Sequence, residues 1–530
     1  MVCATRRNYM QLTSVAFIIF LAVLICLYYI LPKKCQWVVL LAASYVFYIF
    51  AGLKYLVFIL FTTITTYLCT VLMDRTYRQR DEFIKSSGPD LTREQKKEIK
   101  HTYKVRARIW FVITIAVNFA LLFFCKACLT EPLRSAVNGG LSFLTLGLPL
   151  GMSFYILQSM GYVTDVYREK AAALKNPLKT ALFTAFFPQL IQGPISKFDQ
   201  LKDSLFSEHA FDRTQVAFGL ERMLWGYFKK MVIADRIAVA TSALNSPDQR
   251  GTAFFIMVMF YAVQLYADFS GGIDIAIGAA QTLGITLPEN FIRPYFSTNI
   301  ADYWRRWHIT LNEWMKSYIF YPITVSGPML NLSVRARKKI GKSGARIPIY
   351  IGSVICWLGT GVWHGFTWNF VVWGMLNCFV IVISEELAPV YAKFHDRFHL
   401  KGRKGYTVFE MLRTFIMLSF FRILDYFGNN IGDYFSRTAS VFYVFNFRIF
   451  TDGTLLGLGI KGVDYIIVAC GVVLMFIVSV LQIKRSVRER MLDLPRAVRY
   501  LIIVFMLLAV ILLGSYGMGY DQANFIYGKI

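Results

Sequence analysis

The sequence lacks the patterns that mark most soluble enzymes. Its 530 residues contain no G-x-S-x-G stretch, the turn that presents the nucleophilic serine of many hydrolases, so a serine acyl-enzyme of that type is not indicated. The nine cysteines lie mostly inside or beside apolar runs, which is typical of small buried hydrophobic residues and not of a disulfide framework. Cys125 and Cys128 form a C-x-x-C with no second pair, which argues against a zinc or redox site.

Acidic residues are scarce. There are 32 Asp and Glu against 57 Lys and Arg, a net charge of +25, yet no nucleic-acid recognition module accompanies this charge, so nucleic acid is not an expected partner. The basic residues concentrate in the segments 74–108, 333–346, 393–413 and 484–499. Because short loops rich in Lys and Arg stay in the cytoplasm, all four are predicted to be cytoplasmic. Counting spans from them places both termini outside the cytoplasm, although Arg6 and Arg7 argue mildly against this for the N-terminus.

Apolar residues make up 56% of the chain, and many form runs long enough to cross about 30 Å of hydrocarbon. The composition predicts an all-α polytopic integral membrane protein in the inner or plasma membrane, in contact with membrane lipids and built as a single domain, 1–530. The first run is followed by Lys33 and Lys34 rather than a small-residue cleavage site, so it is interpreted as a span and not a cleaved signal. The predicted spans are 14–31, 36–50, 53–73, 109–129, 252–270, 347–360, 365–388, 409–427, 463–482 and 498–514. Weaker apolar runs contain Pro, Gly or charged residues and are candidates for broken or re-entrant helices. They are 141–162, 178–195, 216–240 and 271–287.

One stretch, 356–378, places a single ionisable side chain, His364, at the centre of aromatic and apolar sequence. A protonatable group at membrane depth usually faces a protein interior or a wet cavity and marks a function. Gly359, Gly361 and Gly365 remove side-chain bulk around it, which allows a backbone or a ligand to approach closely. Three tryptophans, Trp363, Trp368 and Trp373, are predicted to form a wall that excludes water. From the residues alone, a catalytic base and a packed core histidine both remain open.

His308 lies in the segment A-D-Y-W-R-R-W-H-I-T-L-N-E-W. Helical spacing would place Trp304, His308 and Leu311 on one face, away from the charged residues. The functional interpretation is a second active-site group that orients a reactant. The alternative is a packed histidine bonded to a backbone carbonyl. Arg305 and Arg306 could pair with a phosphate or with lipid headgroups.

The other four histidines are set aside. His101 and His209 lie in polar loop sequence. His395 and His399 are spaced i, i+4 but the sequence around them does not complete a ligand set, so no metal site is predicted.

From about Gly140 to Tyr426 the chain resembles the membrane-bound O-acyltransferase family, most of all the bacterial branch that O-acetylates alginate and other cell-surface polysaccharides. The matching stretches are L-P-L-G-M-S-F-Y-I-L-Q-S-M-G-Y-V-T-D-V-Y-R (148–168), F-F-P-Q-L-I-Q-G-P-I (186–195), Y-A-V-Q-L-Y-A-D-F-S-G-G-I-D-I-A-I-G (261–278), N-F-I-R-P-Y-F-S-T-N-I-A-D-Y-W-R-R-W-H-I-T-L-N-E-W (290–314), G-V-W-H-G-F-T-W-N-F-V-V-W-G (361–374) and F-F-R-I (420–423).

The resemblance implies a ring of about 11–14 transmembrane or re-entrant helices around a central funnel, with a core at about 140–426 and C-terminal helices and tail at 427–530. It implies that His364 is the essential catalytic residue and His308 the second signature histidine. Trp363, Trp304, Arg305 and Asn369 are then candidate substrate-binding residues, because they stand in or beside these motifs.

The resemblance also supplies the reactants. The expected donor is acetyl-CoA or another acyl thioester, on CoA or a carrier protein, with no bound cofactor, and the expected partner is an extracellular polysaccharide O-acetyltransferase. The C-terminal Phe525 and Tyr527 resemble an aromatic motif of the branch in which tyrosine is proposed to accept the acyl group, but Gly528 and Lys529 stand where further aromatics are usual. The alternatives are D-alanyl transfer to teichoic acid within the same family, or a polysaccharide or lipid transporter.

Overall fold

The computed structural model describes residues 10–88, 91–128 and 148–516. Within these ranges the regular structure is helical, apart from one antiparallel bridge between Phe291 and Trp307. The prediction of an all-α protein is therefore confirmed. The chain divides into two compact units, Met1–Gly219 with Ala279–Pro288, and Leu220–Gly278 with Glu289–Ile530. The prediction of one membrane domain stays a prediction.

The first unit contains eight α-helices among its described residues, beside two short 3₁₀ helices. They are α1 Val15–Ile30, α2 Gln36–Ile49, α3 Leu56–Ser86, α4 Arg93–Ala127, α5 Met152–Tyr167, α6 Pro177–Ala185, α7 Phe187–Leu190 and α8 Phe198–Phe206. Helix α9, Arg213–Tyr227, begins in this unit and ends in the second.

Helices α3 and α5 of the first unit are joined by charge and hydrogen bonds. Arg80 of α3 forms a forked pair with Glu169, at 2.9 Å and 2.8 Å from the two carboxylate oxygens. The Tyr77 hydroxyl donates to the backbone carbonyl of Tyr167 at 2.9 Å. A bidentate guanidinium–carboxylate pair fixes orientation as well as distance, so these contacts hold the last turn of α5 against α3.

The second unit contains the remaining helices. They are α10 Asp235–Ala243, α11 Thr252–Thr282, α12 Ile300–Trp304, α13 Ile309–Met315, α14 Tyr321–Thr324, α15 Gly327–Ile340, α16 Ile347–His364, α17 Trp368–Glu386, α18 Ala388–Arg397, α19 Lys404–Arg422, α20 Ile431–Ser440, α21 Gly462–Leu481, α22 Val487–Met491 and α23 Arg496–Leu513, together with π-helical segments at Phe228–Ala234 and Lys316–Phe320. The last four residues of α11 belong to the first unit.

Seven helices of the described residues are long and apolar enough to cross a membrane: Leu53–Ser86, Arg93–Ala127, Thr252–Thr282, Ser343–His364, Trp368–Glu386, Gly462–Leu481 and Arg496–Leu513. The shorter α1 is also apolar. The prediction of a multi-pass membrane protein is confirmed. Short or interrupted helices occupy the predicted weak runs 178–195 and 216–240. The orientation of the termini stays a prediction.

Two predicted boundaries are wrong. The segment 74–108, predicted as a loop, is largely helical: α3 continues to Ser86, and α4 begins at Arg93 behind a capping box of Thr92 and Gln95. The hydropathy signal ends where charges begin, but helix formers such as Glu, Gln and Lys continue the helix beyond it. Residues 271–287 are likewise no separate run, because α11 continues without a break to Thr282.

Helix α11 carries buried charges that are neutralised in pairs. The Lys230 Nζ lies 2.6 Å from an Asp268 oxygen and 2.7 Å from an Asp235 oxygen. The Lys229 Nζ lies 2.6 Å from Asp274. Charges removed from water are tolerated only when paired and hydrogen-bonded, so these pairs join the π-helical segment to α11. Phe269, which follows Asp268, contacts one of the candidate site residues described next.

Candidate active site

His364 is the last residue of α16, a position set by glycines that allow two helices to approach closely. A Cβ at Gly361 would lie 2.5 Å from the carbonyl oxygen of Phe370 in α17, and one at Gly374 would lie 2.6 Å from that of Trp357. Small residues at such positions allow backbone-to-backbone packing in membrane helices. Gly359 is different, because a Cβ there would meet its nearest atom at 3.9 Å. The prediction of a close approach therefore holds at Gly361 and does not apply to Gly359.

Aromatic rings surround His364, whose residue surface is 5% exposed. Its ring stacks on Phe370 at 5.8 Å between centroids and meets Trp363 and Trp373 edge to face at 4.9 Å and 5.0 Å. Trp363 and Trp373 thus form the predicted wall. Trp368 does not, because it is 63% exposed. Trp368 is the first residue of α17, and its side chain lies on the surface.

His308 is buried, with 2% of its surface exposed, but not by the predicted helical register. The helix α12 ends at Trp304, His308 has φ 46° and ψ 50°, and α13 begins at Ile309. A left-handed backbone at a non-glycine residue breaks the helix, so the predicted common face is wrong.

The segment before His308 is held instead by residues 290–292. The Ile309 N–H donates to the carbonyl of Asn290 at 3.1 Å, and the Ile292 N–H donates to that of Arg306 at 2.9 Å.

The side chain of Asn290 fixes the His308 ring. Its Oδ1 lies 3.2 Å from His308 Nδ1 and accepts hydrogen bonds from the Thr310 N–H at 3.2 Å and the Thr310 hydroxyl at 2.9 Å. Phe269 of α11 meets the imidazole edge to face at 4.9 Å. The ring is therefore held on two sides, as expected for a group that must keep one orientation.

The Trp363 ring contacts both histidines. Its ring centroid is 4.9 Å from that of His364 and 6.4 Å from that of His308. All three residues belong to the second unit. Residues 308 and 364, distant in sequence, are thus brought to the same indole ring.

Arg422, to which the sequence analysis gave no role, lies among the same side chains. The group is called the cluster below and consists of His308, His364, Arg422, Trp304, Trp307, Trp363 and Trp373. Its guanidinium carbon is 5.0 Å from the ring centroid of Trp304, 5.0 Å from Trp307 and 4.8 Å from Trp373. A desolvated cation on an indole face is attracted by about 2 kcal/mol. Arg422, at the end of α19, therefore ties the segment before His308 to α17. The sequence feature that could have identified Arg422 as a site residue is its position in the F-F-R-I stretch.

Comparison with known proteins identifies the chain. The family description "MBOAT, membrane-bound O-acyltransferase family" matches residues 92–335. "Probable alginate O-acetylase AlgI" of Azotobacter vinelandii is 30% identical over 382 residues, which cover 71% of this chain and 68% of that protein. The chain belongs to the membrane-bound O-acyltransferase family. It is therefore an acyltransferase. The 92–335 match contains His308 and ends before His364.

Two further relatives of this acyltransferase carry other names. "Peptidoglycan O-acetyltransferase" of Helicobacter pylori is 31% identical over 395 residues, 68% of this chain and 66% of that protein. "Teichoic acid D-alanyltransferase" of Bacillus subtilis is 25% identical over 281 residues, 51% of this chain and 67% of that protein. The matched region spans about two thirds of each relative, so the family is common to all of them and the substrate is not.

The remaining predicted site residues of the acyltransferase fall into different surroundings. The Trp304 Nε1 donates to Asn377 at 3.0 Å inside the cluster. The Asn369 side chain donates to the Leu424 carbonyl at 3.1 Å and serves the packing of α17. Arg305 has a side chain 59% exposed and lies 3.4 Å from Asp302, away from the cluster. Tyr527 lies outside the described residues.

The electrostatics of the site favour a neutral His308. Burial, and after it the positive charge of Arg422, lower the pKa of His308 to about 3. Desolvation disfavours the charged form of the imidazole. An uncharged imidazole can donate through one nitrogen and accept through the other, so His308 can hydrogen-bond a reactant at neutral pH.

The described residues contain no group of three or more His, Cys, Asp or Glu side chains that could hold a metal ion. His395 instead lies 3.0 Å from the hydroxyl of Tyr406.

Proposed function

We propose that this acyltransferase moves an acetyl group from a cytoplasmic thioester, such as acetyl-CoA, across the membrane toward hydroxyl groups of an extracellular or cell-wall polysaccharide. The observation that carries the proposal is the meeting of His364 and His308 at the Trp363 ring, 4.9 Å and 6.4 Å away. The names of the relatives, which refer to alginate and peptidoglycan O-acetylation, support acetyl as the group and a polysaccharide as the acceptor.

His364 acts as the general base in this proposal. It takes the proton of an attacking hydroxyl, whose oxygen then forms a bond to the thioester carbonyl carbon. When the tetrahedral intermediate collapses, the carbon–sulfur bond breaks and the departing thiolate takes the proton from His364. A positioned base of this kind contributes about 10²–10⁴ in rate.

The position of His364 at the C-terminus of α16 suits this role. The last carbonyl groups of a helix carry partial negative charge and stabilise a nearby cation, typically by about 0.3–1 kcal/mol. The imidazolium that forms during proton transfer is such a cation. His308, fixed by Asn290, orients the donor or the acceptor.

We also propose that Tyr527 is a first acceptor of the acetyl group, which a partner transferase outside the cell then passes to the polysaccharide. The support is the resemblance of the C-terminal aromatic residues to the family branch. Mass spectrometry of the C-terminal peptide after incubation with acetyl-CoA tests this step: a mass gain of one acetyl group on Tyr527 supports it. An unmodified Tyr527 in a sample that is turning over excludes the relay but leaves direct transfer.

The test of the main proposal is transfer of radiolabelled acetyl groups by membranes that contain the wild-type chain or His364→Ala. We expect a loss of about 10²-fold or more, the contribution of a general base. His395→Ala is the matched control, because His395 contacts Tyr406 and not the cluster, and it should retain wild-type activity. Activity of His364→Ala close to wild type would remove the mechanism.

D-alanyl transfer to teichoic acid is the second candidate, favoured by the similarity to the Bacillus subtilis protein named for it. The two reactions differ in the donor. Incorporation of label from D-alanyl-carrier thioester but not from acetyl-CoA would select this candidate. The transporter alternative has lost its basis, since the chain is a member of an acyltransferase family.

A further inference from the structure

Two indole N–H groups of the cluster are left without a hydrogen-bond acceptor. Within the described residues, the buried Nε1 atoms of Trp307 and Trp373 have no partner, whereas the Nε1 of Trp304 donates to Asn377 at 3.0 Å. A buried donor without an acceptor costs about 1–3 kcal/mol. Such groups in native structures call for an explanation, and a ligand that supplies the acceptor is one.

Trp373 is the one of the two whose ring contacts His364. The centroids are 5.0 Å apart and the rings are nearly perpendicular, at 79°. Trp307 instead packs on Phe291 at 4.9 Å and on Tyr303 at 5.4 Å. A carbonyl attacked by a hydroxyl bound at His364 would therefore lie next to Trp373.

Arg422 makes Trp373 a better donor and holds it in place. Its guanidinium carbon lies 4.8 Å from the centre of the Trp373 ring. A cation over the ring face attracts the π electrons of the indole, and this polarisation makes the indole N–H a stronger hydrogen-bond donor at low dielectric. The Trp373 indole is thus fixed before a reactant arrives, which is the property that makes transition-state donors effective.

We infer that Trp373 is a catalytic residue, whose indole N–H donates to the oxyanion that develops on the thioester carbonyl, and that Arg422 is its positioning residue. The inference rests on the proposed acyl transfer at His364. As the hydroxyl oxygen bonds to the carbonyl carbon, the carbonyl π electrons move to the oxygen, and Trp373 stabilises that charge. The electrons return when the carbon–sulfur bond breaks, so the indole keeps its proton throughout.

The test replaces only the N–H group. Trp373→3-benzothienylalanine, introduced by nonsense suppression in the full chain, keeps the size and shape of the ring and has sulfur in place of the N–H. We expect kcat and kcat/KM for acetyl transfer from acetyl-CoA to fall equally, by roughly 10²-fold, as for loss of one oxyanion donor. The thermal stability in detergent should not fall, because no hydrogen bond inside the protein is lost.

The same replacement at Trp368 is the matched control. Trp368 lies in the same helix as Trp373 but is 63% exposed and outside the cluster, so the control should leave both stability and kcat close to wild type. Unchanged kcat in the Trp373 variant overturns the inference. A stability loss in that variant with unchanged kcat also overturns it, since it would show that the N–H serves a structural water. His364→Ala in the same assay keeps the two proposals apart: if it is inactive while the Trp373 variant is fully active, only the role of Trp373 fails.

Discussion

The substitution Gly361→Ala is expected to separate α16 from α17 and to disturb His364. Its Cβ would lie 2.5 Å from the Phe370 carbonyl oxygen, while ordinary contact begins at 3.4 Å, so the backbones must move apart by 3.4 − 2.5 = 0.9 Å. Overpacking of this kind costs about 1–3 kcal/mol. Because the ring of Phe370 stacks on His364 at 5.8 Å, the shift also moves the base relative to its reactants, and activity should fall.

Gly359→Ala measures the part of the effect that is unrelated to the contact. Both glycines lie inside α16 and both substitutions gain up to about 1 kcal/mol of helix propensity, but the new Cβ at residue 359 lies 3.9 Å from its nearest neighbour. The difference between the two variants therefore reports the contact alone. The assay is thermal denaturation in detergent together with acetyl transfer in membranes.

Gly359→Ala should match or exceed the wild-type melting temperature and keep wild-type activity, while Gly361→Ala should have a lower melting temperature and lower activity. Equal melting temperatures and equal activities in the two variants would refute the close approach of α16 to α17 as the determinant of the position of His364.

Two further predictions concern His308. Arg422→Gln removes a positive charge that lowers the pKa of His308, so protonation becomes easier and the acid limb of the pH–activity profile should move to higher pH. Arg422→Lys, which keeps the charge, and Arg437→Gln, which removes a buried guanidinium that lies on Phe254, should leave the acid limb in place. An unmoved acid limb in Arg422→Gln contradicts the requirement for a neutral His308. Asn290→Ala should reduce acetyl transfer at least 10-fold more than Thr310→Val. Both variants lose the hydrogen bond between Asn290 and the Thr310 hydroxyl, and only Asn290→Ala releases the His308 ring. Equal activities of the two variants would show that the His308 ring needs no support from Asn290.

The sequence was sufficient where a signal is local. Apolar run length predicted α16 and α17 and their membrane character, since hydrocarbon thickness imposes the length directly. A lone ionisable residue in such a run predicted His364 as a buried side chain, since hydrocarbon penalises exposure of polar groups to lipid.

The sequence was insufficient where the position of a residue depends on distant contacts. His308 was assigned to a helix face, but the pairing of residues 290–292 with 306–309 breaks the helix at His308. Arg422 received no role, because a cation in an apolar stretch gives no sign of which aromatic rings it will meet. Trp368 and Trp373 have the same residue type and lie five positions apart, and only the packing of α17 decides that one is exposed and the other buried.

The most direct test is a cryo-electron microscopy structure of the full chain with a non-hydrolysable analogue of acetyl-CoA, in which a methylene group replaces the thioester sulfur. The carbonyl of the analogue should lie beside His364 and Trp373, with room for a hydroxyl about 3–3.5 Å from the carbonyl carbon. Density for the acetyl group elsewhere, with both histidine rings still enclosed by protein, would contradict the proposed mechanism.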